Sequence, residues 1–141
     1  MKKNRILYIT SAALILVAIT VLIIFNSRKY ISTPKNIEIN KNAIIGDWVR
    51  TDASYLIRIN NVNKDGTLEA QYFNPKPINV ETATLEESYG NLKITLVLRD
   101  VNYPGSKYTL NYLPDRDILA GEYFQAVEIL TFYVEFVRQN I

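Results

Sequence analysis

Leu92-Lys93-Ile94-Thr95-Leu96-Val97-Leu98-Arg99 sets Leu92, Ile94, Leu96 and Leu98 on one side of an extended chain and Lys93, Thr95 and Arg99 on the other. Successive side chains of a strand point to opposite faces, so this alternation describes a strand with one buried and one wet face. Tyr89-Gly90-Asn91 precedes it and Tyr103-Pro104-Gly105-Ser106 follows it. Glycine supplies the positive φ of tight turns, and Pro-Gly suits the centre of a type II turn.

The same alternation, punctuated by turns, runs both ways along the chain. It predicts eight strands, at 45–50, 55–60, 67–73, 78–85, 92–99, 107–112, 118–124 and 129–138. The fourth is ambiguous, since residues 82–88 also suit a short helix. The remaining connections are short: Asp52-Ala53-Ser54, Asn63-Lys64-Asp65-Gly66 and Pro114-Asp115-Arg116-Asp117. Short links join antiparallel neighbours. An all-β, eight-stranded antiparallel up-and-down barrel is the economical arrangement, because closure removes two exposed edges; a β-sandwich is the alternative.

Upstream, residues 6–25 are apolar apart from Tyr, Thr and Ser, and are flanked by Lys2, Lys3 and Arg5 before and Arg28 and Lys29 after. Twenty helical residues at about 1.5 Å each cover roughly 30 Å, the thickness of a bilayer's hydrocarbon layer. The chain is therefore expected to comprise a cytoplasmic N-terminus (1–5), one N-terminal transmembrane helix acting as a signal anchor (6–25), a polar stalk containing Pro34 (26–42) and an extracytoplasmic barrel domain (43–141). A cleaved signal peptide is the alternative. The charges before the span favour a cytoplasmic N-terminus, which puts the barrel on the periplasmic or extracellular side.

Composition narrows the chemistry. The 141 residues include no His and no Cys. That excludes a Ser-His-Asp triad, a cysteine nucleophile, a disulfide framework and lipidation at an N-terminal cysteine. No cofactor and no metal site is expected. Five of the 16 Lys and Arg lie within the first 29 residues, leaving 11 against all 14 Asp and Glu, so the domain has no basic stripe for nucleic acid.

Gly46-Asp47-Trp48 opens the first strand, and Arg138 shares the parity of Phe132, Val134 and Phe136 in the last. This pattern resembles the calycins, the lipocalin, fatty-acid-binding and avidin-like barrels. The resemblance implies that Trp48 packs beneath Arg138 at the closed end. An avidin-like biotin pocket is disfavoured, because such pockets use several Trp and this chain has one. The stretches Tyr72-Phe73-Asn74-Pro75-Lys76-Pro77-Ile78-Asn79-Val80 and Leu98-Arg99-Asp100-Val101-Asn102-Tyr103-Pro104-Gly105-Ser106 are similar to those of uncharacterised bacterial exported or lipid-anchored proteins, which implies an envelope location.

With Trp48 at the bottom, alternating hairpins send residues 52–54, 74–77, 100–105 and 125–127 to the top. There Arg50, Asp52, Tyr55, Tyr72, Asn74, Asp100, Asn102, Tyr103, Tyr123 and Gln125 compose a candidate ligand-binding mouth. Tyrosine rings with amide neighbours suit a small polar ligand, a sugar or a short peptide. A solid core, with the domain serving as an envelope scaffold or protein-interaction module, is the alternative. Asp52 and Asp100, facing one another beside Arg50, would be the pair for a carboxylate-dependent hydrolase, but one Arg neutralising two loop aspartates at a barrel rim is the better account of them. No catalytic residue is assigned.

Overall fold

A computed structural model gives the fold, and it describes residues 39–139 together with Leu22. The expected cytoplasmic N-terminus (1–5), the transmembrane segment expected at 6–25 and most of the expected stalk lie otherwise outside the described residues. Among the described residues, no helix is long and apolar enough to cross a membrane.

The domain begins with a 3-10 helix, Lys41–Ile44, capped by Asn40, whose side chain accepts a hydrogen bond from the Asn42 amide at 3.0 Å. Ile44 is buried and Ile39 packs against the core, so the end of the expected stalk is already part of the folded unit. Nine strands follow: β1 (Gly46–Arg50), β2 (Leu56–Val62), β3 (Leu68–Asn74), β4 (Lys76–Ile78), β5 (Val80–Ser88), β6 (Asn91–Leu98), β7 (Lys107–Leu113), β8 (Ile118–Gln125) and β9 (Leu130–Arg138). They make one antiparallel sheet in the order β4-β3-β2-β1-β9-β8-β7-β6-β5, which excludes the two-sheet sandwich.

The sheet curls into a nearly closed barrel. Its seam explains why there are nine strands instead of eight. The expected fourth strand breaks at Asn79: β4 pairs with β3, from Tyr72↔Ile78 to Asn74↔Lys76, whereas β5 pairs with β6, from Val80↔Leu98 to Ser88↔Asn91. Pro75 and Pro77 remove backbone donors there, so this part of the chain cannot ladder fully on both sides. Lower down, the Thr67↔Thr84 bridge and the Leu85 amide donating to the Gly66 carbonyl at 2.7 Å draw β3 and β5 together. The helical alternative at 82–88 fails because Ala83 and Leu85 alternate inward along β5.

Inward parity fills the interior. Leu92, Ile94, Leu96 and Leu98 of β6 are buried, facing Ile57 and Ile59 of β2, Leu110 of β7 and Phe136 of β9. Below them, β1 meets β9 at Trp48↔Arg138. The Arg138 guanidinium lies 4.2 Å from the Trp48 ring centroid. It donates to the Ala43 and Ile45 carbonyls at 2.6 and 2.8 Å and to both carboxylate oxygens of Asp117 at 2.7 and 2.9 Å. The Trp48 indole N–H donates to the Ile44 carbonyl at 2.8 Å. Gly46, at φ +141°, leaves room for this: a Cβ there would stand 2.7 Å from Arg138 Nη1.

The hydrogen bonds from Arg138 hold the Asp117 carboxyl below its ordinary 3.8, and that from Arg58 does the same for Asp47. A carboxyl whose folded pKa is lowered stabilises the fold at neutral pH and ceases to do so as pH falls through that pKa. Stability is therefore expected to decline as pH drops through about 4 and below, where these carboxylates take up protons. Urea unfolding of the full chain at several pH values checks this. The Asp117→Asn variant should be less stable at pH 7 and should show a shallower acid decline than the parent; an unchanged slope would dissociate Asp117 from acid sensitivity.

Candidate functional site

At the upper end, opposite Trp48, strand ends bring tyrosines together. Tyr72 of β3 and Tyr108 of β7 are buried with their hydroxyls 3.0 Å apart. Tyr108 stacks on Tyr123 of β8 at 4.4 Å between centroids and meets Phe136 edge-on at 5.5 Å. Burial pushes the Tyr108 hydroxyl up to about 12 and the Tyr72 hydroxyl higher still, so both remain neutral and serve as hydrogen-bonding partners. Together they close the interior and make a floor.

Arg50 ends β1 on inward parity, with its side chain only 11% exposed. Asp52, two residues on in the β1–β2 turn, accepts from its Nε and Nη2 at 2.6 and 2.9 Å. That pairing lowers the Asp52 pKa and offsets the charge of Arg50. The guanidinium also lies 5.3 Å from the Tyr55 centroid and 5.9 Å from that of Tyr123. Across the opening, the Asn74 amide donates to the Tyr103 hydroxyl.

These groups line one recess of about 440 Å³, formed by Arg50, Asp52, Ala53, Tyr55, Tyr72, Asn74, Tyr103, Tyr123, Gln125 and Phe132. Eight of the ten expected mouth residues are among them. Asp100 and Asn102 are not, which corrects the sequence-based assignment. Asp100 and Tyr103 bond to each other's backbone across a tight turn, and the Asp100 carboxylate accepts from the Val101 amide at 3.0 Å. The loop thus turns Asp100 onto its own backbone, in a separate recess of about 340 Å³ with Arg99, Pro104 and Gly105. Asn102 sits exposed in the same turn. The expected juxtaposition of Asp52 with Asp100 is consequently absent: Asp52 is paired with Arg50 and Asp100 lies apart.

Phe132 and Ala53 were missed. Phe132 carried a usable signal, since it shares parity with Val134 and Phe136 and pairs with Tyr123. A third opening, of about 560 Å³, lies at the lower end around Ile39, Asn42 and the Lys41–Glu87 ion pair, where the described chain begins. Elsewhere, Ser106 is buried and its hydroxyl accepts from the Ala126 amide at 3.1 Å, while the neighbouring Lys107 is exposed, as opposite strand parity requires.

No family model matches the chain, and neither a curated protein nor a solved structure does.

Proposed function

We propose that the chain is a non-catalytic binding module of the cell envelope, anchored through residues 6–25, with its barrel on the extracytoplasmic side and a small uncharged polar ligand held at the mouth. The observation that carries this reading is the convergence of Arg50, Asp52, Tyr55, Asn74, Tyr103, Tyr123 and Gln125 on one recess above a tyrosine floor. Tyrosine faces offer apolar contact, and the amides of Asn74 and Gln125 offer donors and acceptors, a set suited to a hydroxyl-rich ligand such as a sugar. Because Asp52 already offsets Arg50, a ligand carboxylate would have to compete with a bidentate partner at 2.6 and 2.9 Å. That pairing also weighs against a hydrolase built on Asp52.

Native mass spectrometry of the full chain, purified from its own envelope in mild detergent, tests the reading. The parent should retain a reproducible small-molecule mass. Gln125→Ala should weaken its retention about tenfold, the loss of one well-placed hydrogen bond. A bare parent, or equal retention by the variant, would remove the mouth as the ligand site.

A further inference from the structure

A barrel that does not close fully has edges, and here they differ in character. β4 presents Lys76 and Pro77, and β5 carries Glu81, Glu86 and Glu87. Charge and proline are the usual devices against unwanted strand addition. The upper part of β9 has neither. Its ladder with β1 stops at Arg50↔Phe136, with one further bond from the Thr51 amide to the Glu135 carbonyl at 2.9 Å. Its ladder with β8 continues without a bulge to Gln125↔Leu130. The residues left unpaired on the β1 side read Leu130-Thr131-Phe132-Tyr133, uncharged, rich in good strand formers and all exposed.

The direction of the unpaired backbone groups follows from parity. Glu135 accepts from Thr51, and the Gln139 amide donates to the Asp47 carbonyl, so the odd-numbered residues of β9 face β1. In an antiparallel ladder a residue's N–H and C=O point the same way and alternate along the strand. Thr131 and Tyr133 therefore aim two donors and two acceptors into the space where β1 has ended. Phe132, between them, lines the recess together with Asp52, Ala53 and Tyr55. On the outer face Tyr133 is 68% exposed and stands opposite Glu122 of β8, and Glu128 lies at the hairpin tip. Neither glutamate belongs to an ion pair among the described residues. The tip also holds Ile129 at φ +54° and 79% exposed, a β-branched residue in a region that disfavours it.

We propose that this edge accepts an extended segment of a partner protein, which adds a strand beside β9, seats one aromatic or amide side chain in the tyrosine recess and sets a Lys or Arg on the outer face near Tyr133 and Glu122. Glu122 and Glu128, which have no cationic partner among the described residues, favour a basic segment over a second copy, whose matching edge carries the same two carboxylates. The inference rests on the mouth being a binding surface only for the side-chain pocket; the backbone edge is independent of it.

A displayed library of random heptapeptides, panned on the full chain in detergent micelles, provides the probe. Recovered peptides should alternate an aromatic or amide residue with Lys or Arg. Their affinity should fall at least tenfold on Thr131→Pro, which removes an edge-facing N–H that no neighbouring strand uses, and on Thr131→Lys, which adds an edge charge; Trp48 fluorescence reports whether each variant is folded. Peptides that fail to enrich over empty micelles, or that bind both variants as tightly as the parent, would overturn the proposal. So would a concentration-dependent dimer abolished by Thr131→Pro, which would give the edge to a second copy. A small-molecule mass retained by Thr131→Pro would leave the mouth reading standing while the edge fails, and peptide binding by a bare parent would do the reverse.

Discussion

Replacing Arg138 with Ala is expected to lower the free energy of unfolding by about 2–3 kcal/mol, mostly from the two carbonyl bonds and the Trp48 contact, because the Asp117 side chain is 45% exposed and its ion pair is screened by water. The side chain joins four groups at once: the Trp48 face, the Asp117 carboxylate, which also accepts from the Tyr112 hydroxyl at 3.0 Å, and the Ala43 and Ile45 carbonyls. Its loss leaves two carbonyls without their donor, leaves Asp117 with the Tyr112 hydroxyl alone, and uncovers the ring at the meeting of the first and last strands. Arg138→Lys keeps the charge but lacks the planar fork that serves Asp117 with two donors and the carbonyls with two more, so it should recover less than half of the loss. Urea unfolding of the full chain, followed through Trp48, the sole Trp, reads both variants directly. A loss below about 1 kcal/mol would show that the closed end does not depend on this residue.

Gly121→Ala should be as damaging, for a different reason. A Cβ at Gly121 would overlap the Thr109 carbonyl oxygen and stand 3.1 Å from Leu110 Cα, both backbone atoms of the paired strand β7. Neither can rotate aside as a side chain could. The β7–β8 ladder would have to separate locally, and a loss of about 3 kcal/mol or more is expected, at the upper end for overpacking. The sign is informative, since Gly→Ala at an unstrained position usually stabilises by about 0.4–1 kcal/mol. Gly105 supplies the contrast: it has open space around it and differs only in its φ of +86°. Gly105→Ala should therefore cost only about 1–2 kcal/mol, the strain of a left-handed backbone. Equal effects at the two glycines would remove close strand approach as the cause.

The strands were legible because alternation is local. Leu92 to Leu98 announces its buried face without reference to any neighbour, and all four inward residues are buried. The two ends of the barrel were legible for the same reason, since hairpins reverse direction and parity carries over from strand to strand. Seven of the recess residues followed from that counting, and Tyr103 from the placement of its loop at the upper end. Asp100 and Asn102 did not, because a turn obeys its own hydrogen bonds and not the parity of the strand before it. Nor did Gly121, whose importance lies in how closely another strand's backbone approaches, a distance that no local pattern encodes.

What the sequence determined by itself was therefore the all-β class, the boundaries of most strands, the short antiparallel connections and the composition of the upper end. Each depends on interactions within about ten residues. The tertiary structure decided the rest: the break at Asn79 that divides one strand between two neighbours, the Asp117 partner of Arg138, and the bare edge at Thr131 and Tyr133. Those features arise where distant segments meet or fail to meet. The upper part of β9 stands exposed because its neighbour β1 ends at Arg50 while β9 reaches to Leu130.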